Sequence, residues 1–104
     1  MDDDFIDQDE LDVRYRELVD SFIDQANDFS DNNSIENVGM AILFAASRFN
    51  AYVVSQHAQS KDAYVSDLPK ARDFFRKQYR QMLDENLEDY QSVFEKYSKF
   101  TKPN

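Results

Sequence analysis

Two polar side chains inside the most apolar part of the sequence are its strongest candidates for binding chemistry. Arg48 and Asn50 lie within the run VGMAILFAASRFNAYVV, residues 38–54. A buried guanidinium or amide group destabilises a fold unless hydrogen bonds satisfy it. The pair therefore predicts one of two arrangements. Either it joins Tyr52 and Asn86 in a polar network that specifies one helix register or lines a small pocket for an anion or another small molecule, or the Arg48 stem follows apolar surface to solvent or to a C-terminal carboxylate. The second arrangement is the more ordinary one and is favoured.

A row of like charges is the second polar feature. Arg72, Arg76 and Arg80 stand at i, i+4 and i+8, which is unfavourable on an isolated helix and calls for carboxylates or phosphates opposite. An aspartate row with the same spacing occurs earlier in the chain, at Asp20, Asp24 and Asp28. The arginine row therefore predicts either a site for an anion or acidic peptide, or pairing with the aspartate row. Pairing is favoured because the partner lies in the same chain.

The residue types needed for most catalytic and metal centres are missing. The chain has no cysteine and one histidine, His57, which is expected to flank the end of a helix. Polar side chains from Asp28 onward resemble a calcium loop, but its sixth position is Asn33 instead of glycine and its twelfth is Gly39 instead of glutamate. Gly39 is the only glycine, so no glycine-rich phosphate loop is present. We expect a protein that is not an enzyme and uses no cofactor or metal.

Three segments with helical periodicity must position these side chains. One Gly and two Pro in 104 residues favour long helices with few connections. The first helix is predicted over about 8–29, and the second from Asn33 or Ser34, as alternative N-caps, to about residue 58. The third is predicted to begin at Ser66 or Asp67, with Pro69 in its first turn. It is expected to continue as one long helix, either straight or bent near Asn86, and the alternative is a chain that folds back after Asn86 as a fourth helix.

Each helix has its own apolar pattern. The first carries Leu11, Tyr15, Leu18, Val19, Phe22, Ala26 and Phe29. The third carries Leu68, Ala71, Phe75, Tyr79, Met82, Leu83, Tyr90, Val93, Tyr97 and Phe100. The central helix has two opposite apolar faces, one with Val38, Ile42, Ala45, Phe49, Tyr52 and Val53, the other with Met40, Leu43, Phe44, Ala51 and Val54. Because a three-helix bundle needs one apolar face per helix, the second face predicts association, most simply as a homodimer.

Length and charge limit the classes of function. A chain of 104 residues predicts a single domain, with an acidic, frayed start at 1–7 and a flexible tail at 99–104. Of the net charge of −9, residues 1–36 contribute −11, from 13 acidic and 2 basic side chains, which counts against nucleic-acid binding. Ser47, Arg48 and Asn50 leave the apolar run too short and too polar for a membrane span. We expect a soluble cytoplasmic protein.

Two stretches resemble a known bacterial domain family of small, acidic, all-helical proteins of unknown function. They are FAASRFNAYVV, residues 44–54, and RDFFRKQYRQMLDENLEDY, residues 72–90. The resemblance covers roughly Tyr15 to Tyr90 and implies an all-α fold and a bacterial source. It implies no activity, ligand or catalytic residue.

The sequence thus predicts an all-α protein, a three-helix bundle with a two-faced central helix. The preferred function is a non-catalytic interaction or regulatory domain that acts as a homodimer. The alternative is a sensor or enzyme that binds a small molecule or anion in a polar pocket around Arg48 and Asn50.

Overall fold

The chain forms three helices and no strand over the residues that the structure, a computed structural model, describes: 8–94 and Pro103. They are α1 (Gln8–Phe29), α2 (Ile35–His57) and α3 (Lys61–Val93). The predicted all-α, three-helix fold is confirmed, as are the bounds of α1 and the end of α2 to within a residue. The predicted frayed start at 1–7 and all but Pro103 of the predicted tail lie outside the described residues.

The turn between α1 and α2 uses both of the predicted capping side chains, in different roles. The Ser34 hydroxyl accepts a hydrogen bond from the Asn37 amide at 3.1 Å, so Ser34 caps the start of α2. The Asn33 side-chain amide instead donates to the Phe29 carbonyl at 2.9 Å and closes the end of α1. Of the two alternatives, Ser34 is therefore the N-cap.

The predicted start of α3 is wrong by nearly two turns. The helix begins at Lys61, with Ser60 as its N-cap in extended conformation (φ −157°, ψ 165°). The Ser60 hydroxyl accepts from the Ala63 amide at 3.1 Å, which satisfies one of the free N–H groups of the first turn. Pro69 consequently lies inside the helix instead of in its first turn.

The second half of α3 continues as regular helix. The α-helix is unbroken through Asn86, whose side-chain amide donates to the Met82 carbonyl one turn earlier, at 2.9 Å. The predicted bend at this position is not confirmed, and the chain does not fold back before Val93. The last two members of the predicted stripe, Tyr97 and Phe100, lie outside the described residues.

The chain divides into two compact units, and the division falls inside α2. The first unit comprises Met1–Leu43 with Lys102–Asn104. Its one buried side chain among the described residues is Val38, at 8% exposure. Half-buried residues at the end of α1 are Ile23, Ala26, Asn27 and Ser30. The first unit is thus packed only around the α1–α2 turn.

The second unit, Phe44–Thr101, contains the rest of α2 and all of α3. Its half-buried residues before the connection are Asn50, Val53, Val54 and Ala58. Those on α3 are Ala63, Tyr64, Leu68, Ala71, Phe75, Gln78 and Val93. Because they repeat at helical spacing, they identify the line along which the end of α2 packs on the first half of α3. Between positions 79 and 92, every residue of α3 is exposed.

Much of the predicted core is therefore open to solvent. On α1, Tyr15, Leu18 and Phe22 are 60–65% exposed, although they form the middle of its apolar stripe. On α2, every residue from Gly39 to Phe49 is exposed. The periodicity correctly predicts which side of each helix is apolar, but the described chain covers only a small part of those sides.

Candidate functional site

The dominant surface feature is the apolar middle of α2. On the face predicted to associate, Met40 is 65% exposed, Leu43 39% and Phe44 71%, and Ala51 is exposed as well. Val54, the fifth predicted member of that face, is half-buried within the second unit. Four of the five residues are thus available to another molecule.

The opposite face of α2 is also largely open. Phe49 is 64% exposed and Tyr52 55%, and their rings contact each other at a centroid distance of 5.6 Å. Ile42 is 43% exposed, and only Val38 is buried. Exposed apolar side chains on both faces of one helix are rare in a soluble monomer, where single scattered residues are the norm.

By length and composition alone, α2 could cross a membrane. It has 23 residues, and its most apolar 18-residue window has a mean hydropathy of 1.4 and is 6% buried. The prediction that the apolar run is too short and too polar to span a membrane is therefore not supported by length and composition. Core helices of soluble proteins and signal sequences satisfy the same criteria, so this property alone does not identify a membrane protein.

The four residues of the predicted polar pocket lie on two helices of the second unit. On α2, Arg48 and Tyr52 are exposed, whereas Asn50 is half-buried. At 100° per residue, Asn50 lies about 160° around the helix from Arg48, so α2 does not direct both side chains to one side. On α3, Asn86 is exposed and its amide is bonded to its own helix. The pocket thus stays a prediction, without a described contact that assembles it.

The arginine row is exposed along α3. None of the three guanidinium groups forms an ion pair among residues 8–94, and neither do Asp20, Asp24 and Asp28. The ion pair next to the row joins Lys77 to Asp73, at 3.0 Å, with both side chains well exposed. On α1 the aspartates lie about 160° from the centre of the apolar stripe, on its solvent side. Pairing between the two rows stays a prediction.

The second half of α3 carries an apolar seam, which we define as Tyr79, Met82, Leu83, Leu87, Tyr90 and Phe94. These side chains are 39–67% exposed. Counted from Tyr79, they fall at i, i+3, i+4, i+8, i+11 and i+15, the spacing of a helix face built for packing. Asn86 occupies the missing i+7 position. Leu87 and Phe94 belong to this face although they are not in the predicted stripe, and their helical spacing is sufficient to place them there.

Chemistry-bearing clusters are scarce in the described part of the chain. There, no group of three or more His, Asp or Glu side chains is arranged to hold a metal ion. A shallow depression on α3 is lined by Lys77, Arg80, Gln81, Asp84, Glu85 and Glu88, all from that single helix. It is centred on the side of α3 away from the apolar seam and is not an enclosed site.

These observations define an all-α, three-helix protein with exposed apolar helices. The chain belongs to the family described as "Protein of unknown function (DUF3144)", whose model matches residues 15–91. Comparisons with curated proteins and with solved structures gave no significant match.

Proposed function

We propose that this protein is a non-catalytic helical interaction domain of the cytoplasm that completes its hydrophobic core by forming a homodimer. The observation that carries the proposal is the exposure of α2, in which one residue of 23 is buried. Covering such side chains stabilises a protein by about 1.5–3 kcal/mol for each large apolar group. A second copy supplies apolar surface of the same kind, and closed two-fold dimers are the commonest soluble assemblies.

The alternative to a second copy is a lipid bilayer that surrounds the apolar side chains of α2, and two features disfavour it. Arg48 is residue 14 of the 23, near the middle of the helix, where insertion of a charged side chain costs about 2.5–3.5 kcal/mol. The end of α2 also packs along the first half of α3, which carries Arg72, Arg76, Lys77 and Arg80. A spanning α2 would draw part of that charged helix toward the hydrocarbon. The homodimer is therefore expected to form without lipid.

Leu43→Glu tests the proposal at the association face of α2. Burying the new carboxylate in a dimer interface, once in each copy, is expected to weaken association at least roughly a hundredfold. Leu43 is 39% exposed, so the same change has less effect on a separate chain. The dissociation constant is measured by sedimentation equilibrium. Far-ultraviolet circular dichroism at high protein concentration should show unchanged helicity.

Gln59→Glu is the matched control, because it adds the same charge at an exposed position in the connection between α2 and α3. It is expected to leave the dissociation constant unchanged. Equal dissociation constants for Leu43→Glu and the wild type would contradict a dimer closed by this face.

A further inference from the structure

The apolar seam on α3 is centred on a different side of the helix from the surface that α3 uses within its own unit, and overlaps that surface at Tyr79 and Met82. The half-buried residues Leu68, Phe75 and Gln78 centre on one side of the helix. The seam centres about 75° further round, and its members between Tyr79 and Tyr90 are 39–59% exposed. A helix face of this width and spacing is the kind that packs against another helix.

The charges along α3 indicate which helix fits the seam. Residues 70–80 hold five basic side chains and one acidic one, a net +4. Residues 84–89 hold four acidic side chains and no basic one, a net −4. A second α3 laid antiparallel places the basic half of each copy against the acidic half of the other, whereas a parallel copy places like charges together. The helix whose charges complement those of α3 is therefore a second copy of α3 in antiparallel orientation.

We infer that the homodimer contains an antiparallel pairing of two α3 helices through the apolar seam, about a two-fold axis beside Met82. In this register, a residue of one copy faces the residue of the other copy whose number, added to its own, gives about 164. Arg80 then lies opposite Asp84 of the second copy. Arg80 and Asp84 lie about 75° and 115° round the helix from the centre of the seam, on one flank, and this flank pairs with itself in an antiparallel helix pair. The inference rests on the proposed function, because it adds a second contact, on α3, to the homodimer proposed there through the α2 face.

Asn86 gains a role in this register. It is the one polar residue at a seam position from Tyr79 to Tyr90, and a single polar residue in an apolar helix contact is a known means of fixing register. In the inferred pairing it faces Tyr79 of the second copy. The Tyr79 hydroxyl and the Asn86 amide can then satisfy each other, instead of the amide bonding only to its own helix at Met82.

Cysteine cross-linking tests orientation and register together, and the chain has no native cysteine to interfere. Tyr79→Cys and Asn86→Cys are made separately, one of them with a size tag, and mixed under oxidising conditions. The expected product is a disulfide-linked heterodimer, because positions 79 and 86 face each other. Two copies of position 79 are about 10 Å apart along the helices, beyond the reach of a disulfide, which needs Cα atoms within about 7 Å.

Charge reversal provides an independent test that leaves the seam intact. The variants Arg80→Glu and Asp84→Lys each place like charges in contact twice per dimer. Each is expected to raise the dissociation constant roughly tenfold at low salt. The double variant Arg80→Glu/Asp84→Lys restores opposite charges and should regain wild-type affinity. Gln81→Glu, on the far side of α3 from the seam, is the control and should change nothing.

The outcomes separate this inference from the proposed function. A wild-type chain that is monomeric overturns both. A wild-type dimer in which each cysteine variant cross-links with itself overturns the antiparallel pairing alone, because parallel helices bring identical positions together. A dimer with no cross-link between positions 79 and 86, and with no response to charge reversal, places the contact elsewhere and also overturns the inference.

Discussion

Replacing Pro69 with alanine is expected to raise the free energy of unfolding by about 3 kcal/mol. Pro69 is the ninth residue of α3, so it cannot donate the hydrogen bond that the Val65 carbonyl would accept from position 69. Its ring also crowds that carbonyl. Alanine restores the donor and removes the crowding. The gain is measured by urea unfolding, followed by circular dichroism at one fixed protein concentration.

Lys70→Ala is the control for the Pro69 substitution. It makes a neighbouring exposed position alanine without altering the backbone, and should shift stability by only a few tenths of a kcal/mol. Unchanged or reduced stability of Pro69→Ala would show that α3 does not run regularly through this residue.

Pro69 also shows why part of the fold could not be predicted from the sequence. Proline is common in the first turn of a helix, so its position after Ser66 and Asp67 indicated a start there. The actual start uses Ser60, an equally good N-cap. Local preference does not choose between two caps of the same chemistry, because packing decides whether the added turns are stable. Here Ala63 and Tyr64, in those added turns, are half-buried.

The helix bounds were predictable where cap and periodicity agree. For α1, a stripe at helical spacing ends in the polar run after Phe29, and the helix ends at that residue. What covers the association face of α2 could not be predicted from the sequence. Periodicity identifies Leu43 and Phe44 as apolar positions, but it contains no information on what covers them. That depends on contacts distant in the sequence or on a second molecule.

A hundredfold dilution of the protein is expected to lower its stability by about 2.7 kcal/mol per mole of dimer. Folding of a dimer from two unfolded chains depends on concentration, and each tenfold change in concentration is equivalent to about 1.4 kcal/mol. Because Phe22, Phe44 and Phe49 are each more than 60% exposed in the single chain, little stability is expected to remain without a second copy. The measurement is the urea midpoint at several protein concentrations.

The Leu43→Glu variant gives the comparison within the same chain. Its association is expected to be weaker, so it should reach the same loss of stability at higher protein concentration than the wild type. Unfolding curves that coincide at all concentrations would show a monomer whose stability does not depend on a partner.

Solution mass tests the central claim of self-association most directly. The purified chain is passed over a size-exclusion column with light-scattering detection, from low to high micromolar concentration and without lipid or detergent. The predicted result is a mass of twice 12.3 kDa that falls toward the chain mass on dilution. A mass of 12.3 kDa at every concentration would contradict the homodimer. The exposed face of α2 would then belong to a different partner.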